Sequence, residues 1–106
     1  MTLHVVYSAS ARNHLHSIYD FITERAGPAI ARRYTKQIEQ ACARLCNFPM
    51  RGTPRNDIRP GLRMTSRKRR VVIFYSIEPS RVIVHGIFYG GQDYQTILRK
   101  NDADRE

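Results

Sequence analysis

Acidic side chains are scarce in this chain. Nine Asp and Glu residues stand against eighteen Lys and Arg residues over 106 positions, so the formal net charge is +9. The carboxylates are sparse and unpaired, which disfavours a hydrolase that works with two acids. The excess of positive charge should instead attract an acidic polypeptide or a phosphate backbone.

Cysteine is rarer still, with only Cys42 and Cys46 present. They lie four residues apart in a predicted helix and therefore share one face, where reduced cysteines act as small apolar residues. A structural metal site would need two more ligands, and neither the spacing nor the neighbouring residues supply them. The sequence predicts no metal and no cofactor.

Long apolar runs are absent. No stretch approaches the ~20 apolar residues that a membrane-spanning helix needs, and the first fifteen residues lack the pattern of an export signal. We therefore expect a cytoplasmic protein with no membrane association. The length fits one domain over residues 1–99, with a frayed, charged tail over residues 100–106.

The hydrophobic pattern predicts a strand followed by two helices. Residues 3–7 form an apolar, partly β-branched run, and Ser8 or Ser10 can cap a helix after it. Gly27 and Pro28 end that helix and begin a second one over residues 28–47. The buried stripes are expected to be Leu15, Ile18, Tyr19 and Ile22 in the first helix and Ala31, Tyr34, Ile38, Ala41, Cys42 and Leu45 in the second.

The second half of the chain predicts a loop and then strands. Residues 50–61 lack periodicity and contain prolines and glycines, as an ordered loop does. Strands are predicted at 62–65, 71–77 and 82–89, and the last two form a hairpin. Both hairpin strands are apolar at nearly every position, so both of their faces should be largely covered or engaged. The expected fold is a two-layer α+β domain of order β-α-α-β-β-β, with a helical hairpin on a small, mainly antiparallel sheet.

Positive charge is concentrated in one stretch. Residues 51–70 contain eight Lys and Arg side chains and one Asp, which is +7 of the total +9. Clustered cations repel one another and suit an anionic partner. The alternative interpretation is a solvated surface that keeps the protein soluble.

Four segments carry a resemblance to a known family through their order and spacing. They are LCNFPMRG at residues 45–52, DIRPGLR at 57–63, VVIFY at 71–75 and IFYGGQD at 87–93. With the predicted order of elements, they resemble the ParE branch of the RelE/ParE toxin superfamily over roughly residues 5–98. Many relatives have Arg where this chain has Gln92, just before Asp93, so any contact made by that arginine is in doubt here.

The resemblance implies a toxin of a type II toxin–antitoxin system. Members of this branch are neutralised by a ParD-like antitoxin, form hetero-oligomers with it, and are described as poisoning DNA gyrase. Operator DNA is bound only through the antitoxin complex. These features come from the family and not from periodicity or charge.

The residues themselves suggest how an antitoxin would bind. A helical layer protects one face of the sheet, so we expect the other face to present apolar side chains ringed by arginines. An acidic, amphipathic segment would cover both, and strand addition is another possible mode. The predicted contact residues are Arg59, Arg63, Arg67, Arg69, Arg70, Tyr75, Tyr89, Gly91, Asp93 and Tyr94.

The competing hypothesis is a ribosome-dependent mRNA endoribonuclease of the RelE kind. His85 and Tyr89 are four residues apart in one strand, which would place them on one face as an acid–base pair. Arg63 and Arg69 would then hold the phosphate. Arginine is a poor proton acceptor, and a strand histidine is more often a packing residue, so we expect a protein that is not an enzyme.

Direct nucleic-acid binding is the third hypothesis. The basic loop suits phosphates, but no aromatic interleaving or recognised reading motif accompanies it.

Overall fold

Two helices and five strands occur in the part of the chain that the computed structural model describes, residues 3–68 and 70–90. Their order is β1 (His4–Tyr7), α1 (Ala9–Ala26), α2 (Pro28–Arg44), a 3₁₀ turn (Pro49–Arg51), β2 (Thr53–Pro54), β3 (Arg63–Arg67), β4 (Val71–Ile77) and β5 (Arg81–Tyr89). Neither helix is long and apolar enough to cross a membrane.

The five strands form one mixed sheet of order β1-β5-β4-β3-β2. Strand β1 runs parallel to β5, and the other neighbours are antiparallel. The predicted α+β fold with a mainly antiparallel sheet is confirmed. The two-residue strand β2 falls within the predicted loop of residues 50–61. Two residues, one of them Pro54, are too few to show the alternation of apolar and polar side chains by which a strand is predicted.

Local signals place the helix ends. The Ser8 hydroxyl accepts a hydrogen bond from the Ala11 amide at 3.1 Å and caps α1. Gly27 has φ +92° between the helices, a conformation that suits a residue without Cβ. Helix α2 ends at Arg44 and not at Asn47 as predicted, because the amides of residues 45–47 turn back to carbonyls three residues earlier.

The helical hairpin covers one face of the sheet and forms the main core there. Ile18 and Ile22 of α1 and Ile38 and Cys42 of α2 are buried in this cluster. Alternate sheet residues complete it: Val71, Ile73, Tyr75, Val82, Val84 and Ile87. The predicted stripes are confirmed in their direction, although Leu15, Tyr19, Tyr34 and Ala41 are only partly buried.

The opposite sheet face carries a second, smaller core, which corrects one expectation. Phe74 and Phe88 point away from the main cluster and are 0% and 2% exposed. Leu62 is buried with them, and Ile58 packs against the cluster, so the loop before β3 covers this face. The prediction that both hairpin faces are covered is confirmed at these residues. The prediction of an open apolar strip there is wrong, because the chain seals it with its own loop.

Candidate partner-binding surface

Tyr75 has a structural role that the sequence did not reveal. Its side chain is 0% exposed and lies on the helix-covered face. Its hydroxyl donates to the Pro49 carbonyl at 2.7 Å and accepts from the Gly52 amide at 2.9 Å. Tyr75 therefore fixes the turn after α2, and its prediction as a partner contact is wrong because no partner can reach it.

Arg63 lies opposite Tyr75 on β3 and holds the same turn. One terminal nitrogen donates to the Met50 carbonyl at 2.9 Å and to the Gly52 carbonyl at 2.6 Å. Its Nε is buried and has no hydrogen-bond partner in the described residues. The guanidinium is thus largely engaged by the chain's own backbone.

His85 and Tyr89 lie on opposite faces of β5, contrary to the sequence prediction. The flanking residues Val84 and Gly86 oppose consecutive residues of β4, so the register of the ladder shifts at His85. Such a β-bulge shifts the alternation of side chains by one. The His85 Nε2 lies 2.7 Å from the Ser76 hydroxyl on the face away from the helices, while Tyr89 packs against the main core. The proposed acid–base pair does not exist in this geometry.

His14 protects the edge of β5 beyond the end of β1, a role that the sequence did not indicate. The Ser8 hydroxyl donates to the His85 carbonyl at 3.2 Å. Two residues further on, the Ile87 amide donates to the His14 Nδ1 at 3.2 Å. The His14 ring also packs on Phe88 at a centroid distance of 4.7 Å. Burial lowers the pKa of His14, which keeps the ring neutral and able to accept the bond.

A cavity of about 430 Å³ opens between α1 and the end of β5. We call it the aromatic pocket, and its principal lining residues are His14, Ile18, Phe21, Ile87 and Tyr89. The Phe21 and Tyr89 rings pack at 5.5 Å, and Phe21 remains 40% exposed. This is an apolar surface of the size and character that a partner's side chains can enter.

Two of the predicted arginines lie near this pocket. Tyr34 packs edge-on against Tyr89 at 5.8 Å. Burial raises the pKa of Tyr34, while the charges of Arg70 and Arg67 act in the opposite direction. Arg67 also donates to the Gln37 side chain at 3.0 Å. The predicted contacts Arg67, Arg70 and Tyr89 are therefore brought together around Tyr34.

The remaining predicted contacts fall elsewhere. Arg59 lies in the loop over the second core, next to a bidentate ion pair between Arg55 and Asp57 at 2.9–3.0 Å. Arg69, Gly91, Asp93 and Tyr94 lie outside the described residues. The predicted contacts therefore fall into three groups: those at the rim of the pocket, those in a structural loop, and those outside the described residues.

The sequence also gave no sign of two exposed apolar side chains. Phe48 and Met50 flank Pro49 after α2 and are 66% and 68% exposed. They form a shallow surface together with Arg51. Aromatic and methionine side chains are common at interaction surfaces, so this surface is a second candidate for contact with a partner.

The two cysteines are packing residues. Cys42 is fully buried beside Tyr7. Neither Cys42 nor Cys46 forms a disulfide. Burial, the largest cause, raises the pKa of the Cys42 thiol to about 11, so it stays protonated at neutral pH. A protonated, buried thiol is unsuited to nucleophilic or redox chemistry.

Comparison with known proteins identifies the family. The family described as the ParE toxin of the type II toxin–antitoxin system parDE matches residues 5–94. This chain belongs to the ParE toxin family. A comparison with curated proteins found no match.

A solved structure shows the same fold as this ParE toxin. It is a chain from the chromosomal ParDE TA system of P. aeruginosa, with a TM-score of 0.72 and 19% sequence identity. The alignment covers 83% of this chain and 96% of that chain. The two helices on a mixed sheet are therefore the architecture of a known toxin–antitoxin component.

Proposed function

We propose that this ParE toxin is neutralised by a ParD-like antitoxin and acts by binding DNA gyrase, without catalysing a reaction. The observation that carries the proposal is the family match over residues 5–94. The structural neighbour is described as part of a ParDE toxin–antitoxin system, which supports an antitoxin as the first partner.

The aromatic pocket is the surface that suits the antitoxin. An apolar side chain of the antitoxin enters the pocket beside Phe21 and Tyr89, which line it from α1 and β5. Acidic side chains of the same segment then lie close to Arg67 and Arg70. An amphipathic, acidic segment meets both requirements, and the net charge of +9 speeds its association.

The engaged state of the polar residues supports a toxin that acts by contact. An RNA-cleaving site needs a proton acceptor and a proton donor beside a phosphate clamp. Here His85 and Tyr89 face opposite sides of the sheet, and Arg63 is bound to the backbone of residues 50 and 52. A contact mechanism requires none of these groups to be available.

A direct test compares the two possible targets. The chain is induced in cells, gyrase supercoiling is assayed with purified protein, and transcripts are mapped on translating ribosomes. We expect supercoiling to be inhibited and transcripts to remain intact, with His85→Ala as toxic as the wild type. Cut transcripts with normal supercoiling, lost in His85→Ala, would show a ribosome-dependent nuclease instead.

A second test addresses the antitoxin surface. The antitoxin encoded beside the toxin gene is titrated into the wild type, Phe21→Asp and Ile30→Asp by calorimetry. Phe21 and Ile30 are both exposed apolar helix residues, at 40% and 47%, but only Phe21 lines the pocket. We expect Phe21→Asp to weaken binding about tenfold or more and Ile30→Asp to have little effect, since desolvated central contacts dominate interfaces. Equal losses for both variants would place the antitoxin elsewhere.

A further inference from the structure

A cleft of about 180 Å³ lies between the end of α2 and strands β3 and β4, outside the aromatic pocket. We call it the basic cleft. Its polar lining consists of four cations, Arg44, Arg51, Arg67 and Lys68, and the Thr65 hydroxyl. Ser66 borders the cleft, but it pairs with Val72, so its side chain lies on the opposite sheet face. No carboxylate is among the residues that line it.

Most of these cations are not engaged by the chain itself. Within residues 3–68 and 70–90, the side chains of Arg44, Arg51 and Lys68 form no hydrogen bond or ion pair. Arg67 uses one terminal nitrogen to donate to Gln37 and keeps its other donors. Four positive charges around one small cleft repel one another, and an anion in the cleft removes that repulsion.

The turn beside the cleft holds its cations at a conformational cost. Lys68 has φ +52°, a left-handed conformation that a side chain with Cβ adopts reluctantly. The turn is closed by a hydrogen bond from the Arg70 amide to the Arg67 carbonyl at 3.1 Å. Gly or Asn would suit this conformation at lower cost. The tight turn between β3 and β4 requires such a conformation, and it places Lys68 at the edge of the cleft.

The charge and donor geometry of the cleft favour a compact oxyanion. The carbonyl end of α2 opposes an anion with roughly half a charge, which four side-chain cations outweigh. Three of the four are arginines, whose planar donor pairs match phosphate oxygens.

An exposed aromatic ring extends the same surface. Arg51 lines the basic cleft and also the shallow surface formed with Phe48 and Met50. Phe48 is 66% exposed. A cationic groove beside an exposed aromatic side chain is the arrangement with which proteins bind single strands, since the cations hold phosphates and a base stacks on the ring.

We infer that the basic cleft is a phosphate-binding site, which holds the phosphate groups of a nucleotide or of a single-stranded nucleic acid. Arg51, Arg67 and Lys68 bind the phosphate oxygens, and Thr65 donates a hydroxyl hydrogen bond. Phe48 stacks on the base when the ligand is a strand. Of the cleft residues, Arg67 is shared with the proposed antitoxin contact, whereas Arg51 and Lys68 belong to the cleft alone.

The test measures binding of pyrophosphate by calorimetry and of a labelled ten-nucleotide thymidine strand by fluorescence anisotropy, both with the full-length chain at low salt. The variant Arg51→Glu/Lys68→Glu reverses two cleft charges. Its matched control, Arg32→Glu/Arg33→Glu, reverses two exposed charges of α2 that do not line the cleft. We expect the cleft variant to lose about tenfold or more for both ligands and the control to lose less than about threefold.

Two further measurements separate the sources of phosphate. Strand binding should weaken with salt by a slope of about −0.7 for each phosphate held, and the cleft variant should have a smaller slope. Phe48→Ala should weaken strand binding by about fivefold or more and leave pyrophosphate binding unchanged, because only the strand offers a base. If Phe48→Ala has no effect on the strand, the site takes the phosphate group alone.

Three outcomes would overturn the inference. In the first, the wild type binds neither ligand. In the second, the control loses as much affinity as the cleft variant, which would indicate non-specific attraction between charges. In the third, binding of a polyglutamate peptide depends on Arg51 and Lys68 whereas binding of the two phosphate ligands does not, which would make the cleft a site for acidic protein segments. Circular dichroism of each variant confirms that losses do not arise from unfolding.

Discussion

Replacing Tyr75 by Phe removes one oxygen atom from a buried side chain and tests how the turn after α2 is held. The hydroxyl makes two hydrogen bonds, to the Pro49 carbonyl at 2.7 Å and from the Gly52 amide at 2.9 Å. The ring itself stays in place in Tyr75→Phe, because Phe fills the same buried volume. The buried Gly52 amide and the partly buried Pro49 carbonyl then lose their partner.

The expected cost follows from those two groups. Leaving one buried polar group unsatisfied costs about 1–3 kcal/mol. Because water can still reach the partly buried Pro49 carbonyl, the loss for Tyr75→Phe should be about 2–4 kcal/mol. This is a large share of the roughly 5–15 kcal/mol that stabilises a domain. At this chain length it corresponds to a fall in Tm of roughly 10–20 °C.

Urea denaturation followed by circular dichroism measures the effect. Tyr19→Phe is the matched control, because Tyr19 is only partly buried and its hydroxyl makes no hydrogen bond within the described residues. It should change the free energy of unfolding by less than about 0.5 kcal/mol. A Tyr75→Phe protein as stable as the wild type, yet weakened in toxicity, would refute the structural role and restore Tyr75 as a contact residue.

Three further changes test other parts of the structure. Gly52→Ala places a Cβ 2.5 Å from the Tyr75 hydroxyl and 2.8 Å from the Met64 carbonyl. It should lower the free energy of unfolding, measured by urea denaturation, by about 1–3 kcal/mol. An unchanged free energy would mean that the turn is packed more loosely than these distances indicate. Ser8→Ala removes the cap of α1 and the bond to the His85 carbonyl, which should lower the free energy of unfolding by about 1 kcal/mol. An unchanged midpoint would contradict this. Burial holds the pKa of His14 below its usual 6.5, so the unfolded chain binds the proton more readily and stability should fall as the pH drops below about 6.5. The slope should be smaller in His14→Gln, and identical pH profiles for the two proteins would argue against the bond to the Ile87 amide.

The local elements follow from the sequence because their causes are local. Apolar residues at helical spacing, a capping serine and the Gly27–Pro28 pair define the helical hairpin, and the structure confirms it. The predicted strand over residues 71–77 has the bounds of β4, since a run of β-branched and aromatic residues between turn residues has few other stable conformations.

Features that depend on pairing between distant residues could not be predicted from the sequence. The bulge at His85 arises only when β5 pairs with β4, and it places His85 and Tyr89 on opposite faces although their spacing predicts one face. Likewise, β2 exists only as a partner of β3, and the burial of Tyr75 depends on the turn that closes over its hydroxyl. In each case the deciding contact joins residues that no local pattern relates.

The placement of the binding surface shows the same division. Composition and the clustering of arginines determined that the protein carries a strongly positive surface, and its motifs determined the family. The tertiary structure alone decided where that surface is open. A loop without periodicity folds over Phe74 and Phe88, whereas the described residues leave the aromatic pocket and the basic cleft open. An apolar face is buried by residues that are distant in sequence. The sequence therefore indicates which side chains should be buried but not which segment covers them.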